Sequence, residues 1–400
     1  MNNVALDRSA VLKWRNAVFV VFVLPGVAMA SWVSRLPAVR DVFGLRTDQV
    51  GVLIFAIAIG SIVGLVASSH VVARFGARWT IRVGMTGVAV GVTLAGLGTA
   101  VGPSFALTFA GLLVFGVSTG ATDVAMNVSG AANERALGRS IMPIFHAFFS
   151  FGTVLGAGLG ALAELLDIPI AAHLAAVCVV LAVTALVATR FLQHEDVVAE
   201  AADAGAPSGG WRSRLAIWTD RRVLLVGVIV LSAAFAEGTA NDWLALAMVD
   251  GHGVDNATGA LVFGVFVTAM TVGRLLVVLL LDRFGRVIVL RASFLLAAAA
   301  LLVVIFVPNP VVAAVACVLW GLGAALGFPI GMSAAADDPR RAAASVSAVA
   351  TIGYFAFLVG PPAIGFLGEA VGLLNALIVV LVLCAVGALL AGAAREPSKR

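Results

Sequence analysis

Apolar residues run along this chain in twelve long stretches with short polar segments between them. Each stretch has about the 20 residues that a helix needs to cross a hydrocarbon core of about 30 Å. Lipid cannot satisfy backbone N–H and C=O groups, so segments that span a bilayer in this way are helices. The pattern predicts an all-α membrane protein with spans at 15–36, 48–72, 79–101, 104–128, 140–165, 168–191, 221–247, 257–281, 287–308, 310–335, 342–368 and 371–394.

Basic residues between these spans indicate the orientation of the chain. With a cytoplasmic N-terminus, 21 of the 25 Lys and Arg side chains fall in inner segments. The outer segments hold only Arg35, Arg40 and Arg46, and Arg274 lies within the eighth span. By the positive-inside rule both termini are expected in the cytoplasm, with the chain a multi-pass protein of the cytoplasmic membrane. The N-terminus is expected to be the first membrane span and not a removed signal peptide.

The chain divides near its middle into two similar halves. The longest hydrophilic stretch predicts a cytoplasmic linker at 194–220, between six-helix bundles at 1–193 and 221–400. Two sets of residues recur at nearly constant spacing. They are Arg74, Phe75 and Gly76 with Arg283, Phe284 and Gly285, and Ser140, Gly160 and Glu164 with Ser345, Gly365 and Glu369. Parallel six-helix repeats are typical of secondary transporters.

Composition narrows the classes of function. Apolar residues make up 62% of the chain and charged residues 12%, outside the range of soluble proteins. The net charge of +4 does not indicate binding to nucleic acid, because the basic residues are distributed by membrane side and not clustered. We find no P-loop, zinc motif, nucleophile elbow or haem signature, so no enzyme activity, metal or cofactor is expected beyond a proton gradient. The expected partners are a small solute and the lipid bilayer, with the protein a monomer.

Ionisable side chains within a bilayer are costly and often functional. Asp123 lies on the fourth span at helical spacing with Thr119, Thr122, Met126 and Asn127, which predicts one polar stripe. Desolvation favours the protonated acid, so Asp123 is a candidate proton-coupling residue. The alternative is an acid paired permanently with a base.

The seventh span carries a second polar group. Glu237 and Asn241 share one helical face, and Asp242 lies nearer the outer end. Glu237 is a candidate for coupling or binding. Asp242 is either a gating or binding residue or the partner of an outer salt bridge to Arg35.

His146 lies at a depth similar to that of Asp123, so it is either a proton relay or a structural group. Arg274 is expected to extend its side chain toward the interface as a structural residue.

Tryptophans and glycines give further expectations. Trp32 and Trp243 are expected as anchors at the lipid headgroups. Trp320, in the middle of the tenth span, is expected either to stack on a ligand or to pack in the core. Two glycine sets are expected at close helix contacts. They are Gly156, Gly158 and Gly160, and Gly321, Gly323 and Gly327.

The loop after the eighth span, Asp282 to Arg286, resembles the major facilitator superfamily signature of Asp, Arg, any residue, Gly, Arg. The resemblance implies a fold of two six-helix bundles and a conformational latch, or gate. The gating candidates are Asp282, Arg283, Gly285, Arg286, Arg74 and Gly76. The loop after the second span departs from the signature, with Ala73 in place of the acid and Ser69 in place of a usual glycine.

Segments 25–40, 123–127, 235–253 and 319–329 resemble the fucose-permease-like branch, and most closely its uncharacterised bacterial YbjJ-type inner-membrane proteins. In fucose permease the fourth span has a protonatable acid followed four residues later by Asn, and the resemblance matches Asp123 and Asn127 to that pair. It also implies that the first, fourth, seventh and tenth spans line a central cavity. The substrate-binding candidates are Trp32, Arg35, Thr119, Asn127, Asn241, Asp242, Trp320 and Tyr354. The matching region of the first span lacks the permease's essential acid, which weakens the case for the same sugar.

The sequence therefore predicts a proton-coupled secondary transporter of a small solute, for which the resemblance suggests a sugar-like class. Two alternatives stay open. One is proton-antiport efflux of amphipathic compounds, for which a larger, more aromatic cavity is expected. The other is a membrane sensor or scaffold that has lost transport, which the degenerate loop after the second span favours.

Overall fold

The computed structural model describes residues 7–100, 102–139, 141–193, 217–338 and 341–396. Residues 194–216, the larger part of the predicted linker, lie outside this range. The described residues form α-helices, two short 3₁₀ turns and no strand. The helices are α1 (Arg8–Val33), α2 (Leu36–Phe43), α3 (Thr47–Phe75), α4 (Ala77–Ala100), α5 (Phe105–Leu137), α6 (Met142–Leu165), α7 (Ile170–Ala188), α8 (Arg221–His252), α9 (Asn256–Phe306), α10 (Pro310–Ala324), α11 (Gly327–Ala335), α12 (Ala342–Val371), α13 (Leu373–Ala376) and α14 (Ile378–Leu390).

Twelve helical segments of the described chain are long and apolar enough to cross a membrane, which confirms the predicted all-helical fold. The fourth span, α5, continues nine residues beyond its predicted end at 128, to Leu137. It stops where Gly138 adopts a left-handed conformation with φ 67°. The short helix α2 between the first two spans was not predicted, and Gly44 ends it with φ 61°.

The chain forms two compact units. Unit 1 comprises Met1–Leu45 and Leu53–Ala201, and unit 2 comprises Arg46–Val52 and Ala202–Arg400. The short segment at the start of α3 therefore groups with the second unit. There the Arg46 guanidinium lies 3.4 Å from the Glu369 carboxylate.

Glycines allow close approach of helices within each unit. In unit 1, a Cβ on Gly156 of α6 would lie 2.5 Å from the carbonyl oxygen of Val27 in α1. In unit 2, a Cβ on Gly323 of α10 would lie 2.6 Å from the backbone nitrogen of Ala297 in α9. These contacts confirm the packing role predicted for the two glycine sets, except at Gly158, where a Cβ would meet nothing within 4 Å.

Two related turns separate helices at one end of each unit. Gly76 joins α3 to α4 with φ 80°, and Gly285 divides α9 into two helices with φ 73° and ψ 164°. A side chain is strained at such positive φ, so only glycine fits both turns readily. The gating glycines predicted from the repeat thus occupy equivalent backbone positions.

The prediction that Trp32 and Trp243 anchor the chain at the lipid headgroups is wrong. Trp32 is 1% exposed and Trp243 is fully buried, so neither side chain reaches lipid. Both rank among the largest fully buried side chains. Packing among helices has taken precedence over the general preference of tryptophan for the interface.

Candidate functional site

Asp123 lies on α5 with its side chain exposed on the surface, away from the packed interior of unit 1. Its carboxylate oxygen accepts a hydrogen bond from Asn127 Nδ2 at 3.4 Å, and Asn127 Nδ2 also donates to the Asp123 carbonyl oxygen at 2.8 Å. Among the described residues Asp123 forms no ion pair, so the alternative of permanent pairing with a base finds no support here. A charged side chain in lipid is costly, so an exposed acid within a span requires water or a solute beside it.

The predicted polar stripe on α5 divides into two faces. Thr119 and Asn127, one turn on either side of Asp123, are half-buried. The hydroxyl oxygen of Thr119 is buried and has no hydrogen-bond partner among the described residues. Thr122 and Met126 instead face the interior, where the Thr122 hydroxyl donates to the Ser118 carbonyl oxygen at 2.7 Å. The accessible polar face is therefore narrower than the sequence suggested.

His146 is exposed in the second turn of α6. Its imidazole meets the Phe22 ring of α1 edge to face, with 5.3 Å between centroids. The ring is thus oriented by an aromatic contact within unit 1, and its role as a proton relay stays a prediction.

In unit 2, Glu237 of α8 forms an ion pair with Arg274 of α9. The distance between Arg274 Nη2 and Glu237 Oε1 is 2.7 Å, and the side chains are 30% and 17% exposed. Arg274, expected to reach toward the interface, is turned instead toward this acid. The sequence prediction missed the pair because 37 residues separate its members.

Two further polar residues lie near this pair on α8. Asn241, one helical turn after Glu237, has a buried side-chain oxygen with no hydrogen-bond partner among the described residues. Asp242 is half-buried and makes no ion pair within the part of the chain that the structure describes. Arg35 does not provide the outer salt bridge expected for Asp242, since Arg35 is engaged elsewhere.

Arg35 joins the ends of three helices in unit 1. Its Nε lies 3.0 Å from Glu164 Oε1 at the end of α6, and its Nη2 donates to the Ile168 carbonyl oxygen at 2.7 Å, just before α7. Burial lowers the pKa of the Arg35 guanidinium, and the Glu164 carboxylate opposes that change. Arg35 is 3% exposed and acts here as a structural residue, so a solute reaches it only after rearrangement.

The two aromatic candidates of unit 2 have opposite surroundings. Trp320 of α10 is fully buried, with its ring 5.5 Å from the Phe266 ring in an edge contact. In this structure Trp320 packs in the core, and its other predicted role, stacking on a ligand, stays a prediction. Tyr354 of α12 is 46% exposed, and its ring centroid lies 6.5 Å from that of Phe328. Tyr354 is therefore exposed on the surface of its span, whereas Trp320 lies in the core, and a role of Tyr354 in binding a solute stays a prediction.

The loop after the eighth span belongs to an ionic network. Arg286 Nη1 lies 2.7 and 2.9 Å from the two oxygens of Asp337, which follows α11, and Arg286 Nη2 donates to Ser333 at 3.1 Å. Arg222 of α8 reaches the same carboxylate at 2.7 Å. We call Arg222, Arg286 and Asp337 the Asp337 cluster. Asp282 and Arg283 are exposed and form no ion pair among the described residues.

A second ion pair lies beside the Asp337 cluster. The Asp220 carboxylate accepts hydrogen bonds from the backbone amides of Arg222 and Val223 at the start of α8, and it pairs with Arg341 at 2.8 Å. The Val223 amide is the main cause that lowers the pKa of Asp220, and Arg341 adds to it. This pair connects the beginnings of α8 and α12.

The equivalent loop of unit 1 keeps the shape and one charged residue of the signature, Arg74, but lacks the other two. The guanidinium of Arg74 lies 5.6 Å from the Phe75 ring, just as that of Arg283 lies 5.4 Å from the Phe284 ring. The position equivalent to Arg286 is Ala77, at the same spacing of 209 residues. Unit 1 therefore has an alanine at the position whose arginine pairs with Asp337 in unit 2.

Comparisons with known proteins give the family. The model of the Major Facilitator Superfamily matches residues 17–356 and 231–400. An uncharacterised transporter, y4wD, of Sinorhizobium fredii is 31% identical over 94% of this chain and 98% of its own length. An uncharacterised MFS-type transporter of Yersinia pestis is 31% identical over 87% of both chains. Membrane protein MosC of Rhizobium meliloti is 27% identical over 94% of this chain and 88% of its own.

Solved structures share the fold. The nucleoside transporter NupG superposes with a TM-score of 0.70 at 19% identity, covering 96% of this chain and 98% of its own. The fucose:proton symporter FucP of E. coli gives 0.63 at 17% identity, covering 98% and 100%. At these identities the similarity concerns the fold alone.

Proposed function

The chain belongs to the Major Facilitator Superfamily, and from that premise we propose that it is a proton-coupled secondary transporter working by alternating access. Transport of a small solute is the activity that the family supports. Proton coupling and a sugar-like solute are the further steps of the proposal. Any coupling requires that protonation stabilise one conformation more than the other.

The observation that carries proton coupling is Asp123. It is an exposed acid within a membrane span, and it has no basic partner among the described residues. Within the same residues, its carboxylate accepts a side-chain hydrogen bond only from Asn127, at 3.4 Å. Such an acid can gain and lose a proton without breaking an ion pair. Glu237 is different because a proton would have to displace Arg274 at 2.7 Å. Asp123 is therefore the main proton site of the proposal.

A sugar-like solute is supported by two kinds of observation. The described polar groups with unused hydrogen-bonding capacity include the Thr119 hydroxyl and the Asn241 amide oxygen, which suit a solute rich in hydroxyl groups. The structural relatives are named as a fucose:proton symporter and a nucleoside transporter. The efflux alternative lacks support from Trp320, whose ring is buried.

The transport-dead alternative has one favourable observation, since Ala73 and Ala77 stand in place of two of the three charged residues that the signature has in this loop, and only Arg74 is kept. Purified protein that binds a solute yet never moves it across a vesicle membrane would establish this alternative.

The proposal includes a cytoplasmic location for both termini and for the linker around Gly205. It rests on the charge bias of 21 to 3 among the basic residues of the loops. A reporter fused at Gly205 is expected to be active only in the cytoplasm. Activity of that fusion outside the membrane would reverse the orientation.

The central experiment uses Asp123→Asn in vesicles with an imposed pH gradient. The solute is first found by a thermal-shift screen of sugars, polyols, nucleosides, amino acids and drugs, because a ligand of the folded state raises its stability. Asn mimics the neutral acid, so binding is expected to persist while proton-driven accumulation is lost. Exchange of solute across the membrane needs no net proton movement and is expected to survive.

Asp255→Asn is the matched control, because Asp255 is an exposed acid that caps α9 and Asn caps a helix equally well. It is expected to retain accumulation. Full accumulation by Asp123→Asn would contradict the assignment and would make Glu237 the leading candidate for the proton site.

A further inference from the structure

A groove with a cavity volume of about 520 Å³ lies between α1 and α7 on unit 1. Ala17 and Val20 of α1 form one wall, and Val183 and Val187 of α7 form the other, continued by Phe191. The volume falls in the range of about 300–1,000 Å³ that is typical of ligand sites. None of the residues above takes part in the proposed transport site.

One end of the groove is polar and basic. Lys13 and Asn16 line it, and both are exposed. Arg15 lies beside them, because its guanidinium donates to Asn16 Oδ1 at 2.9 and 3.2 Å and lies 5.9 Å from the Phe19 ring. Since the Asn16 oxygen is engaged, its amide group presents N–H donors. Among the residues that the structure describes, no acidic side chain lines the groove.

The walls are apolar and open. Val183 is 57% exposed, Val187 48% and Phe191 44%. These residues belong to or follow a helix that is long and apolar enough to span a membrane, so lipid is the expected neighbour of this apolar surface. Lys13 and Val20 are seven residues apart, or about 10 Å along the helix, so the groove covers about a third of the hydrocarbon core.

We propose that this groove binds one anionic phospholipid, with the headgroup phosphate at Lys13 and Asn16 and the first part of an acyl chain between α1 and α7. The ammonium of lysine is a compact charge with donors in three directions, which suits a phosphate oxygen. Basic pockets between membrane helices near the cytoplasmic side are suited to anionic headgroups. A free phosphate would leave the apolar walls uncovered, whereas a phospholipid covers both parts.

The test measures lipid binding to the purified full chain by native mass spectrometry. Phosphatidylglycerol and phosphatidylcholine with identical acyl chains are compared, so that only the headgroup charge differs. The wild-type chain is expected to retain one phosphatidylglycerol in preference to phosphatidylcholine. Lys13→Gln is expected to lower that preference about fivefold, the attraction expected of one basic residue near an anionic headgroup.

Arg139→Gln is the matched control, because Arg139 is an exposed basic residue beyond α5 that does not line the groove. It is expected to keep the preference of the wild type. Equal losses in Lys13→Gln and Arg139→Gln would mean general surface attraction and would overturn the proposal. If Lys13→Gln does not yield folded protein, Asn16→Leu is used in its place with the same expected direction.

Val187→Trp tests the apolar walls. A tryptophan there fills the groove, so retention of both lipids is expected to fall. Unchanged retention, or competition by inorganic phosphate as effective as by the lipid, would overturn the proposal. None of these measurements depends on transport.

Discussion

The two units share a repeated fold, yet they place their charges differently. Unit 1 has a buried ion pair, Arg35 with Glu164, at the end of α6. It also has a mid-span acid, Asp123, for which the described part of the chain provides no basic partner. Unit 2 has the reverse arrangement. Its mid-span acid, Glu237, is paired with Arg274, and the repeat partner of Glu164, Glu369, is 36% exposed beside Arg46.

The two units therefore share their helix arrangement through the repeat, whereas residue differences at single positions decide which mid-span acid has an arginine partner among the described residues. A carboxylate held by an arginine is neutralised without a proton. An acid that lacks such a partner must take up a proton to become neutral. Under the proposed proton coupling, Asp123 of unit 1 can therefore take up a proton without breaking an ion pair, whereas Glu237 of unit 2 would first have to release Arg274.

The largest expected effect is at the buried pair of unit 1. Arg35→Met leaves the Glu164 carboxylate without its cation and removes the hydrogen bond to Ile168. The free energy of unfolding is therefore expected to fall by about 3–5 kcal/mol. Arg46→Met is the matched control in unit 2, because the Arg46 side chain is 63% exposed, and it is expected to leave the melting temperature unchanged. Thermal unfolding in one detergent measures both. Equal melting temperatures for the two variants would remove the contrast between the repeats.

A smaller loss of stability is expected at the mid-span pair of unit 2. Arg274→Met leaves the partly buried Glu237 without its cation. Because both side chains of the pair keep some exposure, the free energy of unfolding is expected to fall by about 3 kcal/mol, the lower end of the range for a broken buried pair. The double variant Glu237→Leu with Arg274→Met is expected to recover most of it, since neither charge remains. Asp123→Asn is expected to cause no loss, because no ion pair is broken. A loss in Asp123→Asn as large as in Arg274→Met would contradict the comparison.

The sequence was a good guide wherever a local pattern decided the structure. Apolar length predicted the twelve spans, and the recurring Arg-Phe-Gly predicted two turns with equivalent backbone at Gly76 and Gly285. Both follow from requirements that neighbouring residues meet by themselves: span length in lipid, and positive φ at glycine.

The candidate site was harder to predict because its contacts join residues far apart in the chain. Arg35 meets Glu164, Arg274 meets Glu237, and no spacing along one helix indicates these partners. The Asp337 cluster was also missed, although an acid just beyond the tenth span could have been considered as a partner for Arg286. Trp32 and Trp243 were misplaced because tryptophan suits both the interface and a buried helix contact.

The smallest expected effect on stability concerns the loop after the eighth span. Asp282 is exposed and has no ion pair among the described residues, so Asp282→Asn is expected to leave the melting temperature unchanged. If Asp282 takes part in the latch that the loop signature implies, the same substitution shifts the population toward the inward-open conformation. Asp337→Asn breaks contacts with Arg222 and Arg286 and is expected to lower the melting temperature measurably. Spectroscopic distances between labels across the predicted inner gate measure the population. If those distances do not respond to Asp282→Asn, the Asp337 cluster rather than Asp282 holds this loop, and the latch has no part for Asp282.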